Sequence, residues 1–298
     1  MSEPSWLFQF PEMNKESLRA LKKAFDVGYR DFSRAYGESI ETFFEPLLTF
    51  LVWFEDVFTA SPWWLVIAAL AALAWFVSRN WKLVAGVTLA FLAIGYFGMW
   101  EDTMSTMAMI TVCTILSIVI GLPVGILMAR SDRLQAIITP ALDVMQTMPS
   151  FVYLIPVVML LGIGRVPGLL AVVIYAIPPI IRLTNLGIRL VDREVLEAAD
   201  SFGADYWQRL FGVQIPLALP NIMAGINQTI MMALAMVVIA SMIGVKGLGQ
   251  PVLKAVTNQY FALGLFNGLA IVALAIVFDR MTQAYGQRLQ SHRQISNE

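Results

Sequence analysis

Between Arg182 and Arg209 nine charged side chains fall within 28 residues, and the stretch that follows, Leu210 to Val245, has no Asp, Glu, Lys, Arg or His. A charge-dense insert of that length cannot sit in hydrocarbon. It must be an aqueous loop between membrane spans, long enough to fold and bind something. Leu196, Ala199 and Gly203 lie three and four residues apart, so a helix here brings them to one face, with Glu197, Asp200 and Asp205 open to solvent or a basic partner. Gly203 has the φ freedom for a sharp turn. Pro216 suits the first turn of the next helix, where an N–H has no intrahelical acceptor.

Other chemistries are poorly provided for. The one cysteine, Cys113, falls in an apolar run and the one histidine, His292, in the C-terminal tail. Disulfide frameworks, Cys/His metal clusters and Ser-His-Asp assemblies are therefore excluded. There is no G-x-x-x-x-G-K-[ST] sequence to cradle phosphate, so energy must come from a partner or a gradient. What remains is polar groups at membrane depth: Gln146, Thr147, Phe151 and Tyr153 around Pro149, and Asn227, Gln228 and Thr229. Without water these need partners, so they face either a cavity or one another. Asp143 and Arg182 stand near the ends of uncharged runs, where snorkelling suffices to hydrate them; an ion pair between the two is the testable alternative.

The elements that position these groups follow from composition. The chain is 58% hydrophobic and 14% charged, with mean hydropathy +0.70. These are the values of an all-α polytopic membrane protein. Charge-free runs occur at Val57–Ser78, Leu83–Trp100, Thr103–Ala129, Val144–Gly164, Val166–Ile181, Leu210–Val245 and Ala255–Phe278. With about 20 apolar residues per crossing, these predict seven spans, the sixth starting inside the aqueous loop. Gly121 and Gly125 flank Pro123 at small-xxx-small spacing, which predicts close helix packing with a kink.

Basic residues set the orientation. Arg79 and Lys82, Arg130 and Arg133, and the four arginines of the loop alternate with turns holding Glu101-Asp102 or only Arg165. The positive-inside rule then makes the loop and the C-terminal tail, with Arg280, Arg288 and Arg293, cytosolic; the Lys246–Lys254 turn is the exception. The N-terminus is acidic and lacks the order of a signal peptide. Leu18, Leu21, Phe25, Tyr29, Phe32 and Tyr36 recur at helical spacing opposite Lys15, Arg19, Lys22, Lys23, Arg30 and Arg34, a basic amphipathic helix. From Glu41 to Phe58 only Pro46–Phe54 is free of charge, too short to cross, so this stretch reads as interfacial with the N-terminus outside. A crossing there would make eight spans. Four divisions result: amphipathic helices over 1–60, two peripheral spans over 61–100, a core over 101–280 holding the loop at 189–216, and a tail over 281–298.

The loop also resembles a known signature. Glu197-Ala198-Ala199, then three residues and Gly203, then nine residues and Val213-Gln214-Ile215-Pro216, is similar to the EAA motif of permease subunits of binding-protein-dependent ABC importers. The family has Ile and Leu where Val213 and Ile215 stand, both apolar exchanges. Val119–Ser131, Leu142–Gly164, Ile177–Ile188, Ala224–Gly244 and Gly247–Gln250 resemble the type I importer permeases of osmoprotectant systems. That resemblance implies a bacterial inner-membrane homodimer of this chain and a pair of cytosolic ATPase subunits that bind ATP and Mg, docked on the EAA loop. It also implies an extracytoplasmic substrate-binding protein. No cofactor is expected in this chain, nor any nucleic-acid partner. The implied cargo is a small methylated amine such as glycine betaine, proline betaine, choline, carnitine or trimethylamine N-oxide. Aromatic faces and amides on the path would give it weak contacts. The other class of function is a gradient-driven osmolyte carrier or channel, which calls for intramembrane carboxylates; Asp143 alone qualifies.

Overall fold

The computed structural model describes residues 12–294, with side chains described as far as Arg288; the acidic N-terminal stretch and the side chains of His292 and Arg293 lie outside the described residues. Among the described residues there is no strand. The elements are α1 (Lys15–Ala60), α2 (Trp63–Ser78), α3 (Trp81–Tyr96), α4 (Trp100–Arg130), α5 (Asp132–Thr147), α6 (Ser150–Leu161), α7 (Arg165–Arg189), α8 (Arg193–Ser201), α9 (Tyr206–Arg209), a π-helical turn (Leu210–Gln214), α10 (Ile215–Ala240), a short 3-10 turn (Ser241–Ile243), α11 (Gly249–Asn258) and α12 (Phe261–Gln294).

The helices α4, α7, α12 and the run from α9 through α10 are each long and apolar enough to cross a bilayer alone. The pairs α1 with α2 and α5 with α6 each pass as one span bent by 108° and 101°, and α3 is an apolar helix of 16 residues. By length and composition this makes four crossings, or six with each bent pair taken as one, against the seven expected; the Leu83–Trp100 run falls on α3, which is too short to count.

Helix α7 is the axis of the bundle, with 67% of its apolar window buried, against 22% for α12. Small residues make that possible. A Cβ added at Gly121 of α4 would lie 2.4 Å from Ile180 Cγ2, and one at Gly125 would lie 2.7 Å from Thr184 Cβ. On the other flank Gly225 of α10 meets the Ile180 backbone, and Gly187 of α7 meets Asn221. Backbones approach until dispersion contacts replace the missing side chains, which is how helices associate where hydrophobicity gives no preference between lipid and protein. The small-residue pair around Pro123 therefore packs as expected, with α4 parallel to α7 and α10 antiparallel to it.

The N-terminal region differs from expectation in being one uninterrupted helix of 46 residues rather than two amphipathic pieces. It continues past Pro46 because its second half is held by the core: Leu51 is fully buried beside Met109 and Leu169. The Tyr29 hydroxyl donates to the Pro156 carbonyl, and Ser33 Oγ donates to the carbonyls of Met159 and Leu160. Arg165 at the start of α7 pairs with Glu55 at 2.9 Å, and Ser105 Oγ donates to the same carboxylate. Helix α1 thus lies across the end of the bundle opposite the charged loop. Its apolar stripe, including Phe25 and Phe32, stays exposed.

Candidate functional site

The loop after α7 is a compact helical hairpin. Asp192 caps α8 by accepting from the Glu194 N–H at 3.0 Å. After α8 the chain reverses through Gly203 at φ +78°, with the Ala204 N–H returning to the Ala199 carbonyl at 3.1 Å. This is the left-handed conformation that glycine adopts without a Cβ clash. Asp205 then opens α9 with a capping box: it accepts from the Gln208 N–H at 2.7 Å, while Gln208 Oε1 accepts from the Asp205 N–H at 2.9 Å.

Asp200 and Asp205 both stay exposed, as expected, but each also has a partner inside the hairpin. Asp205 is the cap, and Asp200 receives Arg209 Nη1 on both oxygens at 3.0 and 2.9 Å, closing α8 onto α9. Gly203 lies beyond the last turn of α8, not on the helix face with Leu196 and Ala199. Glu197 and Ala198 are exposed and Ala199 is half-buried.

One aromatic contact ties this hairpin to the end of α4. The Arg130 guanidinium carbon sits 3.9 Å from the centre of the Tyr206 ring, a close cation–π contact. Just before the hairpin, Arg189 at the end of α7 joins that helix to α4 and α5, donating to Asp132 at 2.7 Å, to Asn185 at 3.1 Å and to the Met128 carbonyl at 3.0 Å. Val213, Ile215 and Pro216 are half-buried, and Ile215 packs on the cluster around Met128, Ile188 and Ala218. They seat the hairpin. Pro216 falls in the first turn of α10, as expected, although the chain is already helical through Leu210–Gln214. A proline ring displaces the carbonyl one turn before it, and the π-helical turn, with the Ile215 N–H on the Leu210 carbonyl, accommodates that displacement.

The exposed side of the hairpin holds residues the sequence reading did not single out. Phe202 is 92% exposed beside Gly203, and Trp207 and Phe211, each more than half exposed, stack with centroids 5.8 Å apart. Bulky aromatics inside a charged aqueous loop were the available signal. No described side chain covers Phe202.

The membrane-depth polar residues separate into two groups. Tyr153, Asn227 and Thr229 turn inward. The Tyr153 hydroxyl donates to the Met145 carbonyl across the break between α5 and α6, and its ring meets Tyr175 edge-on at 5.5 Å. Asn227 Nδ2 donates to Asp279 of α12 at 2.9 Å, and Thr229 is fully buried. Tyr153 and Asn227 thus bond between elements, whereas the buried Thr229 hydroxyl has no hydrogen-bond partner among the described residues. Gln146, Thr147, Phe151 and Gln228 remain exposed on this chain, although Thr147 Oγ1 also donates to the Asp143 carbonyl. Asp143 and Arg182 do form an ion pair, joining α5 to α7, where snorkelling alone was the expectation. No group of three potential metal ligands occurs among the described residues.

Residues 121–291 match the family described as binding-protein-dependent transport system inner membrane component. The chain is 50% identical over 238 residues to the glycine betaine/proline betaine transport system permease protein ProW of Escherichia coli K12, covering 80% of this chain and 67% of that one. Identity is 48% over 241 residues with the glycine betaine/carnitine transport permease protein GbuB of Listeria monocytogenes, covering 80% of this chain and 86% of that one. The trimethylamine N-oxide transport system permease protein TmoV of Ruegeria pomeroyi is 34% identical and is matched across 97% of this chain and 45% of its own length. In fold, an inward-facing MetNI methionine ABC transporter chain superposes with TM-score 0.57 at 20% identity, over 62% of this chain and 93% of that one. With the profile matched over more than half its length and such relatives at about half identity, the chain belongs to the family of inner membrane components of binding-protein-dependent transport systems, the permeases of ABC importers.

Proposed function

We propose that this chain is the permease of an importer for a small quaternary ammonium or methylamine osmolyte in a bacterial inner membrane. In this reading the α8–α9 hairpin docks on a separate ATPase. Glycine betaine, proline betaine, choline, carnitine and trimethylamine N-oxide are the candidate cargoes. The observation that carries the docking role is the braced hairpin with its uncovered aromatic edge: Phe202, Trp207 and Phe211 project from a body fixed by Arg209 and Arg130. A rigid lever with an apolar tip transmits motion to the spans, whereas a loose loop would absorb it.

The assembly this implies holds a second copy of the chain, two ATPase subunits that bind ATP and Mg, and a substrate-binding protein outside. Residues 101–280 form the transporting core. The chain itself carries no catalytic site. The hairpin and the C-terminus face the cytosol, and α1 lies on the outer side. Gln146, Thr147, Phe151 and Gln228, exposed on the single chain, are the side chains left to line the path between two copies. Weak contacts suit them, because a conduit must release what it accepts.

The test is a mild-detergent pull-down of the tagged chain with the recovered ATPase quantified. Wild type brings down a stoichiometric ATPase. Gly203→Asp, which forces a side chain into positive φ, and Phe202→Ser, which removes the apolar tip, lose it while the permease still inserts. Undiminished association in both variants refutes the docking role. Transport in vesicles without ATP refutes the importer reading.

A further inference from the structure

At the hairpin end of the bundle, on the flank away from the hairpin itself, a cavity of about 650 Å³ opens between the α2–α3 turn and the last third of α12. Three arginines line it, Arg79, Arg280 and Arg288, with Asn80, Gln283 and Gln287 as further polar groups and no carboxylate among the described lining residues; the Gln283 amide is already given to Asp279, one turn back on α12. Its placement is fixed by packing. Arg288 donates to the Phe76 carbonyl near the end of α2, and Gly286 lies against Met223 near the start of α10. Among the described residues neither Arg79 nor Arg280 is paired with a carboxylate. A concave site with this charge and these donors selects an anion with several acceptor oxygens.

Arg79 carries a second observation. It occupies the C-terminal cap of α2 at φ +52°, a left-handed position that favours glycine or asparagine. A long cation there is conformationally disfavoured, and nothing in the cap requires it, since the cap bond comes from its backbone N–H to the Trp75 carbonyl at 2.8 Å. What the conformation achieves is placement of the guanidinium beside the rings of Trp75 and Phe76, 6.0 and 5.8 Å from their centres, at the rim of the cavity.

The surroundings give the anion its class. Phe76 and Trp81 are each 69% exposed next to the cavity, an aromatic collar of the kind found at the membrane–water interface. Below it α12 presents Leu269, Val272 and Ile276, each more than half exposed. We propose that the Arg79–Arg280–Arg288 cavity holds the phosphate of an acidic glycerophospholipid, with acyl chains lying along the outer face of α12. A free phosphate would satisfy the arginines but would leave the collar and the adjoining apolar face without a role. The proposal rests on α2 and α12 spanning the membrane and needs neither the ATPase nor any particular cargo, so its failure and that of the importer reading are told apart.

The experiment is delipidation of the full-length chain in mild detergent, followed by native mass spectrometry during titration with phosphatidylglycerol, phosphatidylcholine or glycerol phosphate. The expected result is one tightly retained phosphatidylglycerol per chain, with phosphatidylcholine at least tenfold weaker and glycerol phosphate unable to displace the lipid. Arg79→Asn and Arg280→Gln each weaken retention about fivefold, and together about thirtyfold. Asparagine suits the left-handed cap, so Arg79→Asn keeps thermal stability at or above wild type while losing lipid, which a purely structural role would not produce. Arg30→Gln with Arg34→Gln on α1 serves as the charge control and leaves retention unchanged. Equal retention of the two lipids by wild type, a measurement independent of any variant, overturns the proposal. Full displacement by glycerol phosphate overturns its lipid identity, and undiminished retention by the double variant overturns its location.

Discussion

At the scale of single residues, the strongest constraints are steric. Gly125 leaves no space for a methyl group, since its Cβ would meet Thr184 Cβ at 2.7 Å and the Ile181 carbonyl oxygen at 2.8 Å. The second contact is backbone and cannot rotate away. Gly125→Ala is therefore expected to destabilise the chain by about 1–3 kcal/mol, the range for overpacking a fitted interface. Gly86 of α3 has nothing within 4 Å of its Cβ position, so Gly86→Ala should be neutral or stabilising by up to about 1 kcal/mol through helix propensity. Thermal unfolding of both variants in the same detergent checks the pair. A similar midpoint shift in both would mean that close packing of α4 on α7 does not limit stability.

At the scale of elements, the α8–α9 hairpin is held by local bonds and presents an apolar edge. The Asp200–Arg209 pair that closes it is partly solvated, with side chains 49% and 33% exposed. Pairs of that exposure contribute about 0–1 kcal/mol. A double-mutant cycle with Asp200→Asn and Arg209→Gln should thus return a coupling below about 1 kcal/mol, and the Asp200→Asn chain should still recover the ATPase. Loss of association with Asp200→Asn but not with Phe202→Ser would transfer recognition from the aromatic edge to the charge. The sequence showed that this loop is aqueous and turns at Gly203. It did not show that Asp200 and Asp205 both take partners within the hairpin, because capping and cross-hairpin pairing depend on how α8 folds back on α9.

At the scale of the whole molecule, α1 is joined to the bundle through very few polar contacts. The Glu55–Arg165 pair is the most buried of the described ion pairs, at 14% and 26% side-chain exposure, and Ser105 shares the carboxylate. Glu55→Gln leaves Arg165 without its counter-charge. The expected cost lies between the about 1 kcal/mol of an exposed pair and the about 3 kcal/mol of a buried one. Hydrogen exchange should report it as faster opening of residues 47–60 while α7 and α10 remain protected. Unchanged exchange there would place the attachment of α1 in the Leu51 contacts alone.

What the sequence determined by itself was the class of the molecule, the positions of its seven apolar runs, the small-residue approach at Gly121 and Gly125, and the aqueous loop with its turn. Each of these is local: hydropathy, charge density and residue spacing within one stretch suffice, because the bilayer imposes the same demand on every segment that crosses it. The tertiary structure alone decided that Asn227 faces Asp279, that Asp143 meets Arg182, that Tyr153 braces the α5–α6 break and that Arg79, Arg280 and Arg288 share one cavity. It also decided that α1 runs unbroken past Pro46, where local propensity would end a helix but burial of Leu51 carries it on. Apart from Tyr153 and Met145, eight positions apart, such pairings join residues tens to hundreds of positions apart. Their register is set by how the helices pack around α7, and no window along the chain contains that information.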